Sequence, residues 1–128
     1  MTESGVLKHA LMLAISVPAL AQTVEAQLQS LRAEALAVAG VLVTELPDLT
    51  MIEDRPNLSI TYFTKPGHYA HPAAVVRMVV QEGGAWFVRY ITWPYDMNAS
   101  PPASFVRWMA EFAALDRAMQ ADLLRNGR

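Results

Sequence analysis

Two histidines three positions apart, His68 and His71, come nearest in this chain to a spacing that could do chemistry. They sit in Tyr62-Phe63-Thr64-Lys65-Pro66-Gly67-His68-Tyr69-Ala70-His71-Pro72-Ala73, with a proline on either side of the pair. Convergent neutral imidazoles can hold a metal, but a working site needs at least a third ligand. The only other histidine is His9, and no carboxylate stands at a diagnostic spacing. The pair therefore reads first as a structural loop. Pro66-Gly67 sets a turn, Pro72 favours extended geometry at His71, and the imidazoles bond nearby backbone. The alternative is a metal-dependent enzyme in which His68 and His71, with Tyr69 or Lys65, line a shallow site. No metal and no cofactor is assigned.

The second candidate is a pair of arginines, Arg77 and Arg89, on two runs of alternating apolar character, Ala74 to Glu82 and Ala85 to Trp93. Guanidinium groups bind carboxylate or phosphate bidentately and stack on rings, which suits another protein or a small anion as partner. Gly83-Gly84 joins the runs as a hairpin. An odd loop of three residues would gather Val76, Met78, Val80, Trp86, Val88 and Tyr90 on one buried face. Arg77 and Arg89 would then share the other, near Phe63, Phe87, Ile91 and Trp93. An even loop would set Arg89 among apolar residues, and desolvating an unpaired charge is costly. The odd loop is expected, with Arg77, Arg89, Phe87 and Trp93 as the contact set.

The elements that must position these residues follow from periodicity. Val24, Leu28, Leu31, Ala35 and Val38 recur at helical spacing within residues 22 to 39, Thr23 can cap the start, and Gly40 can end it. Val41 to Leu46 reads as a strand or a continuation of that packed segment. Leu49 to Glu53 is a short strand, and Leu58 to Thr64 alternates as a half-buried strand should. Pro94 to Pro102, with three prolines, is a loop, and Ser100 before Pro101 makes a cap unless Pro102 pushes the helix start to Ser104. Phe105, Trp108, Met109, Phe112, Leu115, Met119 and Leu123 then mark a long amphipathic helix closed by Asn126-Gly127. The fold class is α+β: a small antiparallel sheet of three to four strands packed by an N-terminal and a C-terminal helix.

Composition narrows the function. The 128 residues are 53% hydrophobic and 17% charged, with ten Lys plus Arg against twelve Asp plus Glu, a formal charge of -2 and no cysteine. That balance disfavours nucleic acid as a partner. The absence of cysteine removes disulfides, thiolate metal sites and cysteine nucleophiles. No Gly-rich phosphate loop, Gly-x-Ser-x-Gly elbow or His-Glu-x-x-His motif occurs.

The apolar content is uneven, because residues 10 to 21 carry no charge. Twelve residues are too few to cross a bilayer, which takes about 20, but they suit the core of a secretory leader. Lys8 and His9 precede the run, Pro18 breaks it, and Ala19-Leu20-Ala21 offers a cleavage site before Gln22. Residues 1–21 are thus a cleavable signal peptide, 22–128 form a single domain, and no stable membrane span remains after cleavage. The competing reading keeps the chain cytosolic, with residues 6–20 as a core helix.

The segment from Tyr62 to Ala73 resembles one found in small uncharacterised exported proteobacterial proteins, where Tyr-Phe-Thr leads into Pro-Gly-His and His-Pro-Ala. Tyr69 stands where that pattern has proline. The resemblance implies export, strands and an aromatic C-terminal helix, and it carries no activity. The expected function is a small periplasmic or secreted, non-catalytic binding or protein-interaction domain, in one version immunity- or inhibitor-like.

Overall fold

A computed structural model describes residues 23–125. The expected leader, residues 1–21, and the closing Asn126-Gly127 lie outside the described residues. Helix α1 spans Val24–Leu36, followed by strands β1 (Leu42–Leu46), β2 (Leu49–Asp54), β3 (Ser59–Thr64), β4 (Ala74–Glu82) and β5 (Ala85–Trp93), then helix α2 (Ala103–Arg125). The class is α+β, but the sheet has five strands rather than three to four, all antiparallel and in sequential order β1-β2-β3-β4-β5. The added strand is β1, whose five residues are all exposed. An apolar stretch lying outside the core gives no periodic signal of burial, so its strand character was left open by pattern alone.

The described residues divide into two compact units, one up to Pro94 and one from Tyr95 onward. In the first, the Thr23 hydroxyl accepts from the Ala26 N–H at 3.0 Å and caps α1. The helix ends at Leu36, earlier than expected, because the N–H groups of Ala37 and Val38 turn back to Glu34 and Ala35 in tightened i to i−3 bonds. Leu28 and Leu31 project from α1 onto Ile52, Phe63, Ala74, Val76 and Trp93, with Val41, Met78 and Ile91 at the margin. Cross-strand register explains this grouping. Thr50, Phe63, Ala74 and Trp93 are successive partners across the sheet, and so are Ile52, Thr61, Val76 and Ile91.

In the second unit α2 begins at Ala103, where the Pro102 carbonyl accepts from Phe105 and Val106. Ser100 is not the cap: its φ of 52° is left-handed, whereas a capping residue is extended. Spacings of three and four bring Phe105, Trp108 and Phe112 onto one buried stripe, with Tyr95 5.1 Å from Phe105. Farther along, Leu115 and Met119 of the same apolar pattern are exposed.

Candidate functional site

The β3–β4 connection folds back on itself through Thr64. Its N–H donates to the Ala73 carbonyl (3.0 Å), and its hydroxyl accepts from the Ala73 N–H (2.9 Å). His71 joins this buried hydroxyl through Nδ1 at 2.8 Å, while Nε2 meets Glu25 Oε1 of α1 at 2.5 Å. Gln29, one helical turn on, donates to the second Glu25 oxygen. That bond first, and the His71 contact after it, hold the Glu25 carboxyl below its ordinary value. With Glu25 ionised, Nε2 carries a proton.

The Thr64 proton then has two acceptors, His71 Nδ1 and the Ala73 carbonyl at 3.1 Å. A neutral imidazole receives it. A protonated one donates instead, and the hydroxyl turns to Ala73. Hydroxyl, imidazole and carboxylate stand in the order of a nucleophilic relay. Thr64 is nonetheless buried and committed to backbone, so its oxygen is not placed to attack a substrate.

His68 does not join His71. Its Nδ1 accepts from the Ala70 N–H at 3.0 Å and its ring stacks on Tyr69 at 4.8 Å, whereas both His71 nitrogens are occupied by Thr64 and Glu25. Two imidazoles so engaged do not converge on a common ligand point. Among the described residues no group of three or more His, Asp or Glu is placed to hold a metal ion.

The relay continues along α1. Glu25, Gln29 and Arg32 follow at i, i+4 and i+7, so they share one helical face. Arg32 donates through Nε to the Thr50 hydroxyl (3.1 Å) and through Nη2 to Glu45 (3.1 Å). Thr50, fully buried and directly opposite Glu45 in the sheet, donates to the same carboxylate at 2.7 Å. Lys65 approaches that carboxylate at 2.8 Å and also donates to the Leu46 carbonyl. The Lys65 bond, then the Thr50 bond, lower the Glu45 pKa from 4.5 to about 2. A polar chain therefore runs from Thr64 through α1 to Lys65, the next residue in sequence. Its charges answer one another, and it ties the helix to β1, β2 and the β3–β4 loop. Sequence reasoning found His71 but missed Glu25, Thr64, Arg32, Glu45 and Thr50; the i, i+4, i+7 spacing on α1 was the available signal.

The arginines part company. The register Glu82 to Ala85 and Gln81 to Trp86 leaves only Gly83 and Gly84 in the loop, so it is even, not odd. Both glycines have positive φ, 58° and 81°, the requirement of the two-residue turn that matches strand twist. Arg77 consequently faces away from Arg89. It is 9% exposed and donates through Nη1 to the Tyr62 hydroxyl at 2.8 Å. Arg89 lies opposite Met78 on the face of Val76 and Val80, yet its side chain is exposed and bonded to Glu82 at 2.6 Å. The desolvation expected for an even loop does not arise, because the hairpin outruns the core and Arg89 stays in water.

No family model, curated protein or solved structure matches this chain.

Of the four expected contact residues, Trp93 is a core residue under α1 and Arg77 is buried, whereas Phe87 and Arg89 are exposed. They belong to the outer part of the β4–β5 hairpin. β3 stops pairing at Ser59 opposite Met78 and the Leu58 carbonyl still accepts from the Val79 N–H at 2.9 Å, so the rungs Val80–Phe87, Gln81–Trp86 and Glu82–Ala85 form a two-stranded ribbon beyond the sheet. Trp86 is 57% exposed, Val79 41% and Phe87 40%. Phe87 and Arg89 lie on the face toward α1, with the guanidinium 5.9 Å from the ring centre, and Trp86 lies on the opposite face. Trp86 was missed because the odd loop assigned it to the core. The glycine pair, read as a two-residue turn, gives the face Trp86 lies on, and its exposure follows from the hairpin outrunning the core.

Proposed function

We propose that the chain is a small exported, periplasmic domain that acts by binding rather than by catalysis, and that the β4–β5 ribbon is its contact end. The observation behind this reading is the exposure of Trp86 and Phe87 on a ribbon that projects past the last pairing of β3. Tryptophan and arginine supply much of the energy where binding surfaces have been dissected, and here Trp86, Phe87 and Arg89 are grouped within four residues. The His71 relay is committed to internal partners, which favours a clasp over an active site. The uncharged run at residues 10–21 supports export. An inhibitor- or immunity-like role is the version in which the ribbon fills a cleft of its partner.

Two measurements test the proposal. Intact mass after expression in the native host should give a chain starting at Gln22; an uncleaved chain rejects export. Immobilised wild-type and Trp86→Ala chains should differ in what they retain from a periplasmic extract and its membrane vesicles, whereas Arg77→Ala should act only through stability. Equal retention by the wild type and Trp86→Ala rejects the ribbon as the contact end.

A further inference from the structure

We infer that the β4–β5 ribbon docks into a lipid surface, its tip entering the headgroup layer so that Trp86 and Phe87 are immersed on both faces at once. The inference rests on the ribbon being the contact end. It is carried by the placement of the two rings. They are consecutive in the strand and therefore point to opposite faces, and both are exposed. A flat protein surface that covers one ring leaves the other in water, and covering both takes a cleft shaped to the ribbon. A standard protein interface also draws on about 20–30 residues a side, whereas the three rungs with their turn offer only residues 80–87. A fluid interface surrounds whatever enters it and needs no complementary cleft.

Reach and charge agree with that medium. Three rungs at about 3.4 Å each extend about 10 Å beyond the last bond to the β3 side, against about 5–8 Å of headgroup layer on each side of a bilayer. Trp86 and Phe87 occupy the second and third rungs from the turn, so with the turn at the base of that layer their rings lie within it, where aromatic side chains collect. The turn itself is clear, with no atom within 4 Å of the space beside Gly83 or Gly84. Glu82, the one charge at the tip, is answered by Arg89 at 2.6 Å, which makes the inserted end electrically neutral. The outward N–H and C=O groups of an open ribbon are satisfied by hydrated headgroups and would not be in hydrocarbon, which sets the depth at the interface.

Flotation of the whole chain with phosphatidylcholine vesicles, beside the Trp86→Ala/Phe87→Ala chain, tests this. Any affinity of residues 10–21 for lipid is common to both proteins, so the difference isolates the ribbon. The double variant should partition at least tenfold less. Partitioning of the wild type should change less than twofold at about 1 M salt, where charges are screened beyond about 3 Å. Lipid should shift tryptophan emission to the blue in the wild type and not in Trp86→Phe, because Trp93 and Trp108 are already buried. Brominated lipids should quench that emission, a readout that needs no variant. Equal partitioning of both chains, or no blue shift at saturating lipid, overturns the inference. If the double variant instead loses a protein partner while vesicle binding stays flat, the lipid surface is wrong and the contact end stands; if it changes neither, both fall.

Discussion

Glu45 and Thr50 show how much one carboxylate organises in this chain. Glu45 receives Lys65, Thr50 and Arg32, and the first two lower its pKa from 4.5 to about 2. A carboxyl depressed by folding adds stability above its unfolded pKa and loses it as pH falls through the folded value. The window therefore opens near 4.5 and closes near 2. Urea midpoints measured across that range should fall for the wild type, and Glu45→Gln should flatten that part of the slope. Thr50→Val keeps shape but removes the hydroxyl that both accepts from Arg32 and donates to Glu45. Loss of such a buried link costs about 1–3 kcal/mol, which equilibrium denaturation reads directly. The i, i+4, i+7 spacing groups Glu25, Gln29 and Arg32 on one face of α1, but spacing does not show what that face meets, because Arg32, Glu45, Thr50 and Lys65 come from α1, β1, β2 and the loop after β3. Only folding brings them together. His71 was legible as a loop histidine bonded nearby, but its partner Glu25 is distant in sequence.

At the scale of elements, period and turn chemistry did most of the work. The limits of β4 and β5 and the capped start of α1 agree with the pattern of the chain. Leu28 is fully buried at the centre of the α1–sheet contact, so Leu28→Ala should cost about 2–5 kcal/mol in denaturant unfolding. Gly84 sits at φ 81°, where any residue with a Cβ is strained. Gly84→Ala should cost about 1–2 kcal/mol, seen as faster amide exchange at the outer rungs of the ribbon. The register went the other way from the expectation because a global burial argument was set against a local turn preference. Burial decides register only where the face is buried, and at Arg89 it is not.

For the molecule as a whole, the proposed contact end and the core draw on different parts of the same two strands. Trp86 and Phe87 stand in water beyond the core. Trp86→Ala/Phe87→Ala should therefore leave the urea midpoint within the change expected of an exposed site, about 0.5 kcal/mol, while removing binding. Among the described residues no helix is long and apolar enough to cross a membrane. By itself the sequence determined the class, the order of elements and the hairpin, because each is written in a local period or a local turn. Tertiary structure alone decided that the sheet has five strands and that Glu25 closes on His71. It also decided that Trp86 is outside. Those outcomes depend on where the core stops along a strand and on which distant side chains it brings within hydrogen-bonding reach, and neither is encoded in spacing.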